Sequence, residues 1–153
     1  MERTVGDMID DEFLIAFEDC TLPFGCWDHR AHVRVAFCYA SRHELQEATN
    51  HMRSGIKACN KANDVPEAID RGYHETVTQA FMRLIRAANR LTGPHRCSDE
   101  FCEAHPELLD RFVLRQFYSR ERIMTMEANA WLVPAYRLPI EILHATPFDL
   151  TQP

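Results

Sequence analysis

Tyr73-His74-Glu75-Thr76-Val77-Thr78-Gln79-Ala80-Phe81-Met82-Arg83-Leu84-Ile85-Arg86-Ala87-Ala88-Asn89-Arg90-Leu91 is the stretch on which the fold turns. Val77, Phe81, Leu84, Ile85 and Ala88 recur at three- and four-residue steps, so on a helix they make a single apolar stripe. Asp70-Arg71-Gly72 precedes the stretch as a loop. Thr92-Gly93-Pro94 closes it, because neither Gly nor Pro extends a helix. The spacing predicts the longest helix of the chain over 73–91.

The same period recurs on the N-terminal side. Residues 11–17 read as a first helix that ends before Leu22-Pro23-Phe24-Gly25. Asp28 is placed to cap a second helix from His29 to about Ala40, on which His29, His32, Val33, Ala36 and Tyr39 share a face. Ser41-Arg42-His43-Glu44 has the form of a capping box for a third helix. Leu45, Ala48, Met52, Ile56 and Cys59 make its inner stripe up to about Asn60. On the C-terminal side, shorter helices are expected at 98–104, at 106–117 with Pro106 in its first position, and at 120–124. From Ala128 the prolines Pro134, Pro139, Pro147 and Pro153 suit an extended tail. The expected fold is all-α: one domain, a helical bundle of four main helices with short C-terminal helices and a tail.

Composition narrows the function classes. The 153 residues carry 17 Lys+Arg against 23 Asp+Glu, a formal charge of −6. Phosphate contacts need clustered Lys and Arg, so nucleic acid is not the expected partner. No apolar run approaches the roughly 20 residues that span a bilayer, so no membrane is expected either. The acidic stretch after Met1-Glu2-Arg3-Thr4 lacks the basic-then-apolar order of a signal peptide, which points to a cytoplasmic protein. The 6 cysteines include no C-x-x-C pair. They are read as free thiols, with Cys38 and Cys59 as small apolar fillers.

Two places hold residues that packing alone does not ask for. In Trp27-Asp28-His29-Arg30-Ala31-His32 two histidines stand three apart, which on a helix puts both imidazoles on one face. In Tyr73-His74-Glu75-Thr76, His74 continues the apolar line of the longest helix and is expected to point inward. A buried imidazole needs partners for both ring nitrogens, and a metal ion with one acceptor supplies them. The favoured ligand set is His29, His32 and His74, with Glu75 as catalytic base or orienting group. The competing set is His29, His32 and Glu75. Three protein ligands leave positions open for water or substrate, and a divalent ion, zinc or iron, fits either set. The plainer alternative is a buried hydrogen-bond network of Asp28, His29, His32, His74 and Glu75 that fixes the helix ends.

The same blocks carry a resemblance. Trp27-x-His29-x-x-His32-Val33-Arg34-Val35-Ala36, Tyr73-His74-Glu75-Thr76-Val77-Thr78, Tyr118-Ser119-Arg120 and Leu132-Val133-Pro134 resemble a family of small uncharacterised bacterial helical proteins. That family carries W-x-H-x-x-H-x-R-V-A, Y-H-E-T-x-T and Y-S-x-x-x-L…A…F-V-x-P blocks. The resemblance runs from about Phe24 to Pro134 and departs from the pattern at Ile123, where Leu is usual, and at Leu132, where Phe is usual. It implies that these blocks belong together in one fold and supplies no reaction.

Trp27 and Tyr73 beside the histidines, with Arg34 and Tyr118, are the expected walls of a substrate pocket. The functional expectation is a metal-dependent enzyme acting on a small-molecule substrate. Its alternative is a non-catalytic helical domain that binds a small molecule or a protein. His43, His51, His95, His105 and His144 are assigned to surface or cap positions.

Overall fold

A computed structural model describes residues 4–68 and 70–130. Those residues form seven α-helices and four short 3-10 turns, with no strand among them. The α-helices are α1 (Asp10–Glu18), α2 (His29–Arg42), α3 (Leu45–Ala62), α4 (Glu75–Thr92), α5 (Ser98–Ala104), α6 (Arg120–Ile123) and α7 (Met126–Ala130).

Local chemistry sets the helix ends. Asp10, Asp11 and Glu12 place negative charge on the first turn of α1, where the helix dipole favours it. Asp28 caps α2 as the sequence predicts, its carboxylate accepting the Ala31 N–H at 2.8 Å. The capping box at 41–44 does not form. The second helix continues through Ser41 and Arg42, and Glu44 at the head of α3 makes no side-chain cap bond. Its carboxylate instead takes Arg86 Nη2 at 2.8 Å, so a tertiary ion pair prevails over a local one.

The expected helix at 106–117 is divided into 3-10 turns at Pro106–Leu109 and Val113–Gln116. Asp110 between them accepts the Phe112 N–H at 2.9 Å, a side-chain bond that competes with helical continuation. The helix at 98–104 forms as read, the next ends at Ile123, and α7 was not foreseen. The proline-rich tail from Trp131 onward lies outside the described residues.

The second helix is the centre of the packing, touching α1, α3, α4 and α5. Ala31 and every residue from Val33 to Tyr39 are buried, so this helix is enclosed nearly all round. His29 in its first turn packs against Phe81, and Ser41 near its end meets Asn89, so α2 and α4 run in the same general direction. The third helix returns between them: Glu44 at its start pairs with Arg86, and Arg53 in its middle pairs with Glu75. Phe17 of α1 seats directly on Gly55 of α3, where any Cβ would run into its ring.

Candidate functional site

The expected site residues fall into two clusters and a remainder. The first cluster surrounds a cavity of about 470 Å³ between α2, α3 and α4. Its walls are mainly apolar, with Val33, Met52, Ile56, Val77, Phe81 and Ile85 among them, and Trp27, His29, His32, Thr78 and Arg111 add polar groups. Trp27 is held against the Phe17 ring with centroids 4.8 Å apart, and its other neighbour is the His32 ring at 3.9 Å.

Backbone carbonyls fix both imidazoles of this cavity. His29 Nε2 lies 2.9 Å from the Leu108 carbonyl and His32 Nδ1 lies 2.7 Å from the Asp28 carbonyl. A carbonyl only accepts, so each of those nitrogens carries the proton. The other ring nitrogens, His29 Nδ1 and His32 Nε2, have no hydrogen-bond partner among the described residues. Burial pushes the His32 pKa down to about 4, against the raising effect of the Asp28 carbonyl, so this ring is neutral at physiological pH.

The second cluster is built on Glu75. Arg53 engages its carboxylate in a fork, Nε to Oε2 at 2.9 Å and Nη2 to Oε1 at 2.5 Å. Tyr73 Oη donates to Oε2 at 2.6 Å and Gln79 Nε2 to Oε1 at 2.6 Å. Burial pushes the Glu75 carboxyl up, but the Arg53, Tyr73 and Gln79 hydrogen bonds outweigh it and bring the pKa down to about 2. A carboxylate with both oxygens engaged and so low a pKa holds charge well and accepts protons poorly, which sets it apart from a general base tuned toward neutrality. These residues border a second, more polar depression of about 560 Å³ with Lys57, Glu67 and Asn129.

His74 joins neither cluster as a ligand. It is the N-cap of α4: Nδ1 accepts the Val77 N–H at 3.2 Å, and Nε2 donates to the Ile123 carbonyl at 2.8 Å. Both ring nitrogens are committed to backbone, the condition that the sequence reading assigned to a metal. Cap geometry explains this, because the first-turn N–H groups of a helix need acceptors and the residue just before α4 is His74. The structure therefore brings His29 and His32 to one cavity and leaves His74 and Glu75 at the start of α4 with partners of their own. Among the described residues, the group of three whose donor atoms all lie within 4.8 Å of one another is His43, Glu47 and His51.

Two of the expected pocket walls are elsewhere. Arg34 is buried, donating from Nε to Ser98 Oγ and from Nη2 to the Met8 carbonyl, both at 2.9 Å, with its guanidinium 4.1 Å from the Phe13 ring centre. Asp10 lies 3.6 Å from the same guanidinium and also bonds Ser98, so Arg34 ties α1, α2 and α5 together. Tyr118 is buried in the core. Trp27 lines the first cavity and Tyr73 the second. Arg53 and Arg111 escaped the sequence reading. Arg53 lies on α3 and Arg111 in the turn before Val113, and only the tertiary arrangement shows what each meets.

No protein family model, curated protein or solved structure matches the chain.

Proposed function

We propose that the protein binds a small, largely apolar molecule carrying a hydrogen-bond donor, in the cavity between α2, α3 and α4. The observation that carries this reading is the pairing of apolar walls with two imidazoles, each with one ring nitrogen bound to a backbone carbonyl and the other without a hydrogen-bond partner among the described residues. A volume of about 470 Å³ lies within the range of roughly 300–1,000 Å³ typical of small-molecule sites. Met52, Ile56, Phe81 and Ile85 receive the apolar body. His29 and His32 receive a hydroxyl, amide or amine proton. In this reading α1 to α4 act as a single-domain bundle that keeps the cavity in shape, and the Glu75 network locks the start of α4.

A metal-dependent enzyme is the second reading, and one observation favours it. Metal-binding histidines commonly donate their other ring N–H to a carbonyl or carboxylate, which orients the ring and fixes the tautomer. His29 and His32 both do so. A divalent ion such as zinc or iron would then be held by these two, with substrate or water completing its shell and the ion polarising a substrate oxygen. In this version His74 and Glu75 support the fold.

The test is a thermal-shift and calorimetric screen with phenols, indoles and medium-chain alcohols on the wild type and on Val77→Phe, which fills the cavity. Stabilisation of the wild type by one of these classes, abolished in a folded Val77→Phe variant, is expected. Equal binding by both proteins would contradict the assignment, as would failure of the whole panel.

A further inference from the structure

We propose a second, independent site: His43, Glu47 and His51 form a surface binding site for a divalent first-row transition metal ion, zinc foremost, at the corner between α2 and α3. Glu47 and His51 stand one turn apart on one face of α3, and His43, the extended residue that follows α2, lies beside Glu47 at the head of that helix. His43 Nδ1 lies 3.3 Å from Glu47 Oε2, and His51 Nε2 lies 3.8 Å from Glu47 Oε1. The two imidazole rings lie with centroids 4.7 Å apart and planes tilted by 36°. Ligands of one zinc ion sit about 2.0–2.2 Å from it, so donor atoms already within 4.8 Å of one another need only small side-chain rotations to close on the metal.

The surroundings hold this cluster in place without occupying it. Tyr39 stacks flat on His51, with centroids 5.0 Å apart and ring planes 12° from parallel, and its hydroxyl donates to Glu18. The backbone of His43 is fixed at both polar groups: its N–H donates to the Tyr39 carbonyl and its carbonyl accepts from Arg86. That guanidinium is itself paired with Glu44, whose carboxylate offsets its charge. The side chains of His43, Glu47 and His51 are 30%, 60% and 43% exposed, so an ion can reach them from solvent. Two imidazoles and one carboxylate are borderline donors that select zinc, nickel, cobalt or copper(II) over magnesium or calcium. With three protein ligands, the remaining positions of the ion are open to water or to an external ligand. Binding also clamps the end of α2 to the first turns of α3.

The experiment uses the full chain without a histidine tag. Zinc binding is measured by competition with a chromophoric chelator, and the unfolding temperature is followed with and without zinc. The wild type is expected to bind zinc with a raised unfolding temperature. In His51→Ala and in Glu47→Gln, which are surface changes whose folding is checked by circular dichroism, the affinity is expected to drop. Loss of a mere supporting partner already costs roughly 10–100-fold in metal affinity, so loss of a ligand should cost at least as much. His32→Gln should retain the site. Zinc binding unchanged in both His51→Ala and Glu47→Gln overturns the proposal, as does a wild type that takes up no zinc. Binding that is lost in His32→Gln but kept in His51→Ala overturns it too, and assigns the metal to the cavity histidines instead.

Discussion

His74 caps α4: its Nδ1 accepts the backbone N–H of Val77 at 3.2 Å, while its Nε2 donates to the Ile123 carbonyl at 2.8 Å. One side chain thus terminates a helix and tethers the α6 segment to it. His74→Ala leaves the N–H without its acceptor and the carbonyl without its donor. The expected loss is about 1–2 kcal/mol of stability, read by chemical denaturation. His74→Asn, which keeps a capping oxygen, should restore part of that loss. Bound small molecule or zinc should be unaffected by either change.

Acid should weaken the start of α4 in a defined window. Glu75 has a folded pKa of about 2 against an ordinary 4.5, so its stabilisation is fully present above about pH 5 and is lost as pH falls toward 2. Glu75→Gln removes that pH dependence and leaves Arg53 without its carboxylate, costing roughly 1–3 kcal/mol at neutral pH. Urea denaturation at pH 7 and pH 3 measures both effects. An unchanged pH slope in the variant would contradict the assignment.

The ring of His32 should stay neutral across the physiological range. Burial places its folded pKa at about 4, below the ordinary 6.5. Its contribution to stability is therefore present above pH 6.5 and is lost as pH falls from there toward 4, because the unfolded chain takes up the proton first. Ring-proton NMR should show no titration of His32 above about pH 5. A midpoint near 6.5 would mean that the ring is solvated.

Gly55→Ala should destabilise the protein although alanine is the better helix former. The Ala gains roughly 1 kcal/mol in helix propensity, but its methyl meets the Phe17 ring and forces α1 and α3 apart, an overpacking cost of about 1–3 kcal/mol. A fall in Tm of a few degrees is expected, and Phe17→Leu in the same chain should recover it in part.

The six thiols should divide under native alkylation at neutral pH. Burial pushes Cys38 and Cys59 up to about 12 and Cys102 up to about 11, so few of these thiols are ionised. Cys20, Cys26 and Cys97 are half-exposed. Mass spectrometry after a short iodoacetamide pulse should find label on the second set and not on the first.

How much of this was legible in the sequence depends on the range of each interaction. The long helices follow from period and caps, since Asp28 and the apolar stripe of 77–88 act within their own segments. The cap at 41–44 was misread because Arg86, distant in sequence, competes for Glu44. His29 and His32 were found as a pair, because their three-residue spacing fixes a shared face. His74 was placed as inward-pointing; its role as a cap depends on the exact residue at which α4 begins. For Glu75 the expectation is a base or orienting group, but Arg53, with Tyr73 and Gln79, holds its pKa low, and nothing local announces the Arg53 partner. His43 and His51, assigned to surface or cap positions, stand four residues on either side of Glu47, a spacing that is common on helix surfaces and does not by itself announce a cluster.

The two cavity imidazoles carry the proposed binding most directly. With histidine labelled on its ring nitrogens, a ligand from the stabilising class should shift His32 Nε2 and His29 Nδ1 on titration, leaving His74 and His51 unmoved. Resonances of His29 and His32 that stay fixed while the ligand saturates the protein would place binding elsewhere and contradict the assignment.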